Sequence, residues 1–207
     1  KLRRLIDQYA PKGKTIPILS GEWGYSAAWK NFDPNEQGKM LPRQWLSNLA
    51  QHIPLSIWYD WHDDGNDPKE PEHHFGTVAH EYHSGHNPVY EPKPAYLAAK
   101  TLTSVLAGFT FTKRIAVGSP ADYALVFSNG RELRLAVWTT SAQPHPIHIP
   151  SSTGTFEVVR HTGEAAPSLT AQGNALAVTV TDAPQYLIAK QPNPILAAAP
   201  VAHPLSA

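Results

Sequence analysis

Up to about residue 110, helix-like and strand-like hydrophobic patterns alternate along the chain. Apolar residues at helical spacing predict three helices, over residues 2–10, 41–53 and 93–109. Short apolar runs between them predict two strands, over 15–23 and 54–61, the first of them buried on both faces. Pro42 is expected in the first turn of the second helix, and Gly108 at the end of the third. This order is typical of parallel strands joined by crossover helices.

After residue 110 the pattern changes to short runs in which apolar and polar residues alternate. Asn129-Gly130 between two such runs predicts a β-hairpin. The spacing of the runs predicts a small antiparallel β-sandwich over residues 110–190. Residues 191–207 are rich in Pro and Ala without periodicity, and we expect a disordered tail there. The predicted fold class is therefore α/β over residues 1–109 followed by all-β.

Composition limits the possible functions. The 207 residues contain 17 basic and 17 acidic side chains, so no basic surface for nucleic acid is indicated. No apolar run approaches the roughly 20 residues that span a bilayer, and membrane insertion is not expected. The absence of cysteine excludes disulfides, thiolate metal sites and cysteine nucleophiles.

The end of the first predicted strand carries one candidate for chemistry. Glu22 lies between Gly21 and Trp23 directly after the apolar run. Active-site side chains emerge at the carboxyl ends of parallel strands, and glycines there allow a ligand to approach closely. A solvated loop residue or a helix-capping acid remains the alternative for Glu22.

The second predicted strand ends in aromatic and acidic residues that suit a sugar. Trp58, Tyr59 and Trp61 are interspersed with Asp60, so indole faces and hydrogen-bonding carboxylates occur together. Alternation places Trp58 and Asp60 on one face, with Tyr59 and Trp61 on the other. We favour Trp58 as the sugar platform, with a core position as its alternative. Trp29 extends the platform or packs against its neighbours.

Four stretches together resemble the last quarter of a clan A glycoside hydrolase, closest to the cellulase-like families 5 and 39. They are ILSGEWGYS, PLSIWYDWHDDG, EHHFGTV and KPAYLAAKTL, all within residues 1–109. The resemblance implies a (β/α)8 TIM barrel, with 16–22 on its seventh strand and 55–60 on its eighth. The sandwich would be an appendage of the barrel.

The same resemblance implies a function. It makes Glu22 the nucleophile of a retaining glycosidase acting on a β-linked oligo- or polysaccharide, with Trp58 under the sugar. His74 would border the cleft, and Tyr25 is a weaker candidate. Polysaccharide degradation implies a secreted or periplasmic protein, and no cofactor is expected.

The acid/base partner of the nucleophile departs from the family pattern. In the family it follows an asparagine on the fourth strand, whereas the Asn35-Glu36 pair here follows the predicted seventh strand. The other acids that remain conceivable are Asp60, Asp63, Asp64, Glu70 and Glu72. We expect that Lys1 is not the natural start, that six barrel strands are missing, and that these 207 residues alone do not hydrolyse glycosides.

A histidine-rich segment and the sandwich suggest two other functions. The segment contains His73, His74, His80, His83 and His86. Its His-Glu-Tyr-His spacing is not the H-E-x-x-H of zinc proteases, and a polar loop is expected, although a metal site remains open. A non-catalytic carbohydrate-binding or interaction module is the other alternative, but Trp138 is the sandwich's only tryptophan and is expected in its core.

Overall fold

The two parallel strands predicted over residues 15–23 and 54–61 are present but short. In the computed structural model, which describes residues 1–202, β1 (Ser20–Trp23) pairs in parallel with β2 (Ser56–Trp58). The helices of this region are α1 (Leu2–Tyr9), α2 (Pro34–Ala50) and α3 (Pro94–Val105). Across residues 1–202, none of the helices has both the length and the apolar character that a membrane span requires.

The prediction that the first strand is buried on both faces is wrong for this chain. Leu19 and Trp23 are each 54% exposed, and Ile57 of β2 is 46% exposed. The cause is the size of the sheet: each strand has only the other as its partner within residues 1–202, and a two-stranded sheet cannot enclose its own side chains. Helix α1, which precedes β1, likewise contains no buried residue.

Helix α2 begins seven residues before the predicted start. The Asp33 carboxylate accepts a hydrogen bond from the Glu36 N–H at 2.8 Å and caps the helix, so Pro42 lies inside the helix rather than in its first turn. A Cβ atom at Gly38 would lie 2.7 Å from that of Pro94, the first residue of α3. Glycine at this position therefore allows the two helices to pack closely.

The histidine-rich segment is more regular than the predicted polar loop. A 3₁₀ helix (Pro71–His74) is followed by two antiparallel strands, β3 (Val78–Tyr82) and β4 (Tyr90–Pro92). Val78 is buried, whereas the end of β3 is exposed. A strand with a single buried side chain gives almost no hydrophobic alternation, which explains why the sequence pattern did not reveal it.

The region after residue 110 is antiparallel, as predicted. Its strands are β5 (Thr110–Arg114), β6 (Asp122–Ser128), β7 (Leu133–Thr139), β8 (His145–Pro150), β9 (Gly154–Arg160), β10 (Ala165–Ala171), β11 (Ala175–Val180) and β12 (Gln185–Ala189). Six of them form one sheet in the order β10-β9-β12-β7-β6-β5, and β8 pairs with β11. The predicted hairpin at Asn129-Gly130 connects β6 to β7.

Both faces of the six-stranded sheet are covered. On one face, residues of β6, β7, β9 and β12 share a hydrophobic core with β8 and β11. On the other, Leu46 of α2 and Leu102 of α3 pack with Phe127 and Trp138. Trp138 is 1% exposed and therefore occupies the predicted core position. This second core joins residues from both sides of the predicted domain boundary at 109.

The predicted disordered tail is ordered up to residue 202. Helix α4 (Pro194–Ala198) places Leu196 in the core with no exposed surface. The Asn193 side-chain oxygen accepts hydrogen bonds from the N–H groups of Leu196 (3.0 Å) and Ser152 (2.9 Å). A single helical turn is too short to show a sequence period, so its packing was missed. The rest of the predicted tail, 203–207, lies outside the described residues.

Candidate active site

Glu22 lines an open pocket next to the carboxyl end of β1. The pocket has a volume of about 370 Å³, and its lining consists of Glu22, Trp23, Gly24, Trp29, Tyr59, Glu72 and Phe75. Other cavities are larger: two, of about 470 and 540 Å³, lie beside the end of α2 and β5 and have no carboxylate in their lining. A third, of about 410 Å³ beside α3, contains Glu164 but no aromatic side chain. The pocket at Glu22 thus combines carboxylates with aromatic side chains, as sugar binding requires.

A close backbone contact forms the base of this pocket. The Tyr59 N–H donates a hydrogen bond to the Trp23 carbonyl at 2.9 Å, and the Asp60 N–H donates to the Phe75 carbonyl at 3.1 Å. A Cβ atom at Gly24 would lie 1.7 Å from the Tyr59 carbonyl oxygen. Glycine is therefore required for the end of β1 to contact the segment after β2 in this way.

Tyr59, rather than Trp58, lines the pocket. The Trp58 Nε1–H donates to the Phe75 carbonyl at 3.2 Å, and its ring stacks on Tyr25 at 6.1 Å between centroids. The sequence-based assignment relied on strand alternation, but β2 ends at Trp58, so alternation does not govern the direction of Tyr59. No sequence pattern identified Tyr59 as a pocket residue.

Of the two further aromatic candidates, Trp29 lines the pocket and Tyr25 lies behind it. Trp29 is 39% exposed, and its ring packs edge-on against Phe75 at 5.4 Å and Tyr25 at 5.9 Å. Tyr25 is stacked on Phe32 at 5.7 Å. Trp29 therefore offers an exposed surface beside Glu22, whereas Tyr25 supports the aromatic cluster.

Asp60 and Trp61 lie next to the pocket but outside its lining. The Asp60 carboxylate accepts hydrogen bonds from the N–H groups of Trp61 and His62, so it stabilises its own turn. Trp61 is 61% exposed, and its ring packs edge-on against Tyr90 at 5.5 Å. The structure thus brings Trp61 together with the β3–β4 pair.

His74 is held by the backbone of two loops. Its Nε2 lies 2.8 Å from the Asp67 carbonyl oxygen, and its own carbonyl accepts hydrogen bonds at 3.0 Å from the Ala27 N–H and from Nε2 of Gln37. Gln37 is fully buried and also donates to the Tyr25 carbonyl at 2.8 Å. This glutamine joins the loops behind the pocket, and nothing in its sequence context distinguished it from an ordinary helix residue.

Among the five conceivable acids, Glu72 is the one that lines the pocket with Glu22. Glu70 instead accepts a hydrogen bond from the Glu72 N–H at the start of the 3₁₀ helix. The pKa of Tyr59 is raised, first by burial and then by the negative charges of Asp64, Asp60, Glu72 and Glu22. The carboxylates in and around the pocket thus favour the neutral form of the Tyr59 hydroxyl.

Asp63 is committed to a buried ion pair. Its carboxylate oxygens lie 2.7 and 2.9 Å from Nζ of Lys93, and each side chain is 10% exposed. Burial lowers the pKa of Lys93, and the contact with Asp63 opposes that shift. A Cβ atom at Gly76 would lie 2.1 Å from the Asp63 nitrogen. This tight packing fixes the loop between β2 and β3. The ion pair with Lys93 is what removes Asp63 as a candidate acid.

The histidines do not assemble a metal site in the part of the chain that the structure describes. Within residues 1–202, no three His, Cys, Asp or Glu side chains are arranged to hold a metal ion. Nε2 of His62 lies 3.0 Å from the His80 carbonyl, and Nδ1 of His80 lies 2.9 Å from the Asp63 carbonyl. These two imidazoles therefore use one nitrogen each to contact the backbone.

Several solved structures resemble this chain. A family 39 glycoside hydrolase from Bacteroides cellulosilyticus WH2 has a TM-score of 0.74 and 26% identity, and the match covers 91% of this chain and 37% of that one. A GH30 endoxylanase from Clostridium papyrosolvens C71 has a TM-score of 0.57 and 10% identity, over 90% and 44% of the two chains. The GH30 subfamily 8 xylanase Xyn30A from Clostridium acetobutylicum has a TM-score of 0.55 and 9% identity, over 86% and 43%.

These neighbours support the class of protein that the sequence motifs predicted. No protein-family model matches the sequence, and no curated protein matches it either. The chain spans 37 to 44% of the length of the three structures. Its neighbours are TIM-barrel glycoside hydrolases, whereas residues 1–202 contain no closed barrel. The resemblance to glycoside hydrolases that was predicted from the sequence is therefore confirmed.

Proposed function

We propose that this chain carries the nucleophile of a retaining glycoside hydrolase that cleaves a β-linked oligo- or polysaccharide, and that Glu22 is that nucleophile. The observation that carries the proposal is the position of Glu22 at the end of a parallel strand, in a pocket with Trp23, Trp29 and Tyr59. The structural similarity to glycoside hydrolases supports it. The aromatic faces would stack on the sugar ring while the carboxylates bind its hydroxyls.

The chemistry requires Glu22 to act as an ionised carboxylate. Its oxygen attacks the anomeric carbon while the bond to the leaving oxygen breaks, and a second carboxyl group gives that oxygen a proton. The product is a glycosyl ester on Glu22. The second carboxylate then removes a proton from water, the water oxygen attacks the same carbon, and the sugar leaves with Glu22 restored.

We propose that the second carboxyl group comes from a part of the natural protein that precedes Lys1. A retaining site needs its two carboxyl groups about 5–5.5 Å apart. Glu72 lies in the same pocket, but the family resemblance places the acid on another strand, so we assign Glu72 to substrate binding. On this proposal, residues 1–109 complete a barrel, residues 110–190 form a β-sandwich appended to it, and the protein is secreted or periplasmic.

Mass spectrometry of the natural protein after treatment with an activated 2-deoxy-2-fluoroglycoside tests the nucleophile. This reagent stalls the glycosyl ester, so we expect one added sugar on the peptide that contains Glu22. Glu22→Gln should abolish the adduct and lower kcat by about three orders of magnitude or more. Glu72→Gln is the matched control from the same pocket and should still form the adduct. An adduct on any other residue would refute the assignment.

The 207 residues by themselves should show no glycosidase activity, because Glu22 would lack its acid/base partner. Turnover of an aryl glycoside by the 207-residue chain, abolished by Glu22→Gln, would show that both carboxyl groups are present. In that case azide would distinguish the two glutamates. As a small external nucleophile it restores turnover of a variant lacking the acid/base group with retained configuration, and of a variant lacking the nucleophile with inverted configuration.

A further inference from the structure

Three aromatic side chains form a second exposed surface beside the pocket. Trp61 is 61% exposed and Tyr82, at the end of β3, is 62% exposed. Tyr90 of β4 lies between them, with its ring centroid 5.5 Å from that of Trp61 and 5.6 Å from that of Tyr82. Both outer rings stand at steep angles to Tyr90, 85° and 69°. Edge-on packing of this kind fixes the rings without covering the outer faces.

The backbone holds these rings in place. The Trp61 carbonyl accepts three hydrogen bonds, from the Thr77 N–H at 3.0 Å, the Thr77 hydroxyl at 2.8 Å and the Val78 N–H at 3.1 Å. Tyr82 and Tyr90 are directly opposite each other in the β3–β4 pair. The aromatic surface is thus mounted on fixed backbone, which lowers the entropic cost of binding a ligand.

Polar groups adjoin the aromatic surface. The His62 ring lies 4.7 Å from Tyr90 and 5.3 Å from the His80 ring, measured between centroids. One nitrogen of each imidazole contacts a backbone carbonyl, and the second nitrogen is the group that can bind a hydroxyl. An aromatic face with hydrogen-bonding groups at its edge matches a sugar ring, whose C–H face stacks while its equatorial hydroxyls point outward.

The aromatic surface is close to the pocket at Glu22 along the chain. Tyr59 lines that pocket, and Trp61 is two residues further along the same segment. The Thr77 N–H contacts the carbonyls of both Asp60 and Trp61, so the segment that leads from Tyr59 to Trp61 is held in place. A saccharide chain that leaves the pocket on this side therefore reaches Trp61.

We propose that Trp61, Tyr82 and Tyr90 form a second sugar-binding subsite, which holds further units of the saccharide whose cleaved bond lies at Glu22. The occupant is an oligosaccharide with at least two units beyond the pocket, bound by stacking on Trp61 and Tyr82. The proposal rests on the function proposed above and adds a preference for long substrates.

Kinetics on substrates of increasing length test the subsite in the natural protein. For Trp61→Ala and Tyr82→Ala, we expect KM for an oligosaccharide of four to six units to rise about tenfold, the loss of one stacking contact. KM for an aryl monoglycoside should change much less. Tyr82→Phe keeps the aromatic ring, so its KM for the oligosaccharide should equal that of the wild type. Tyr96→Ala removes a tyrosine of α3 that is 38% exposed and should change neither value.

Two measurements separate failure of this proposal from failure of the glycosidase assignment. If the wild-type protein turns over no glycoside, the proposed function fails, and titration calorimetry with the same oligosaccharide still tests the subsite. If turnover occurs but Trp61→Ala and Tyr82→Ala leave the length dependence unchanged, the subsite is wrong. A changed association state in sedimentation, without a change in KM, would identify the surface as a contact between copies of the protein.

Discussion

Gly24 is the residue on which the contact between β1 and the segment after β2 depends. A Cβ atom there would lie 1.7 Å from the Tyr59 carbonyl oxygen, and the positions of both atoms are fixed by the backbone. Neither can rotate away, so a methyl group would separate the segments and displace Tyr59 from the pocket. The position of Tyr59 relative to Glu22 thus depends on residue 24 being glycine.

Gly24→Ala should lower the free energy of unfolding by about 1–3 kcal/mol, the usual cost of overpacking. Gly21→Ala is the matched control, because a Cβ at Gly21 has nothing within 4 Å, and it should change stability by less than about 0.5 kcal/mol. Urea denaturation of both variants measures the difference. Equal stabilities would show that the contact between Gly24 and Tyr59 is not maintained in solution.

At the scale of the elements, an ion pair connects the six-stranded sheet with the β8–β11 pair. It joins Asp122 of β6 to His145 of β8, and its contribution to stability depends on pH. The Asp122 carboxylate lies 2.9 Å from Nε2 of His145 and accepts a hydrogen bond from the Thr139 hydroxyl at 2.7 Å. The Gln143 carbonyl, then Asp122, raise the pKa of His145. Burial would raise the pKa of Asp122, but the contacts with Thr139 and His145 outweigh it and the net shift is downward.

The signs of these shifts predict where the pair stabilises the fold. The His145 contribution is complete below the ordinary histidine pKa of 6.5 and is lost as the pH rises through the raised value. The Asp122 contribution is complete above the ordinary aspartate pKa of 3.8 and is lost as the pH falls through the lowered value. Both are therefore present between these two pH values.

His145→Gln should remove the stability that is lost at higher pH. The difference in melting temperature between wild type and variant is expected to be largest near pH 5 and to shrink above pH 7, since the wild-type histidine then loses its charge. His148→Gln, on an exposed position of the same strand, is the control and should show no such trend. A difference between wild type and His145→Gln that is constant from pH 5 to 8 would contradict the ion pair.

The sequence predicted elements best where local chemistry alone determines them. The turn at Asn129-Gly130 is such a case: the Asn129 side chain accepts hydrogen bonds from the N–H groups of Arg131 and Glu132. The position of Glu22 at the end of a strand was also predicted, since a carboxylate after an apolar run needs no knowledge of its partners. By contrast, the direction of Tyr59 depends on where β2 ends, which hydrophobicity does not encode.

At the scale of the whole molecule, burial was predicted less well, because it depends on contacts between segments that are distant in the sequence. Leu19 and Ile57 lie in apolar runs yet are about half exposed, since no third strand within residues 1–202 covers them. Leu196 lies in a Pro/Ala-rich stretch yet is fully buried. An apolar pattern shows that a segment can be buried. Whether it is buried depends on the elements that pack against it.

The two terminal helices allow a direct test of this distinction by the same chemical change. Leu196 of α4 packs in the core between the two sheets, whereas Leu5 of α1 is 47% exposed. In the 207-residue chain, Leu196→Ala should lower the free energy of unfolding by about 2–5 kcal/mol through lost burial and a residual cavity. Leu5→Ala should cost less than about 0.5 kcal/mol. Urea denaturation measures both, and a Leu196→Ala variant as stable as wild type would show that the C-terminal segment does not contribute to the core.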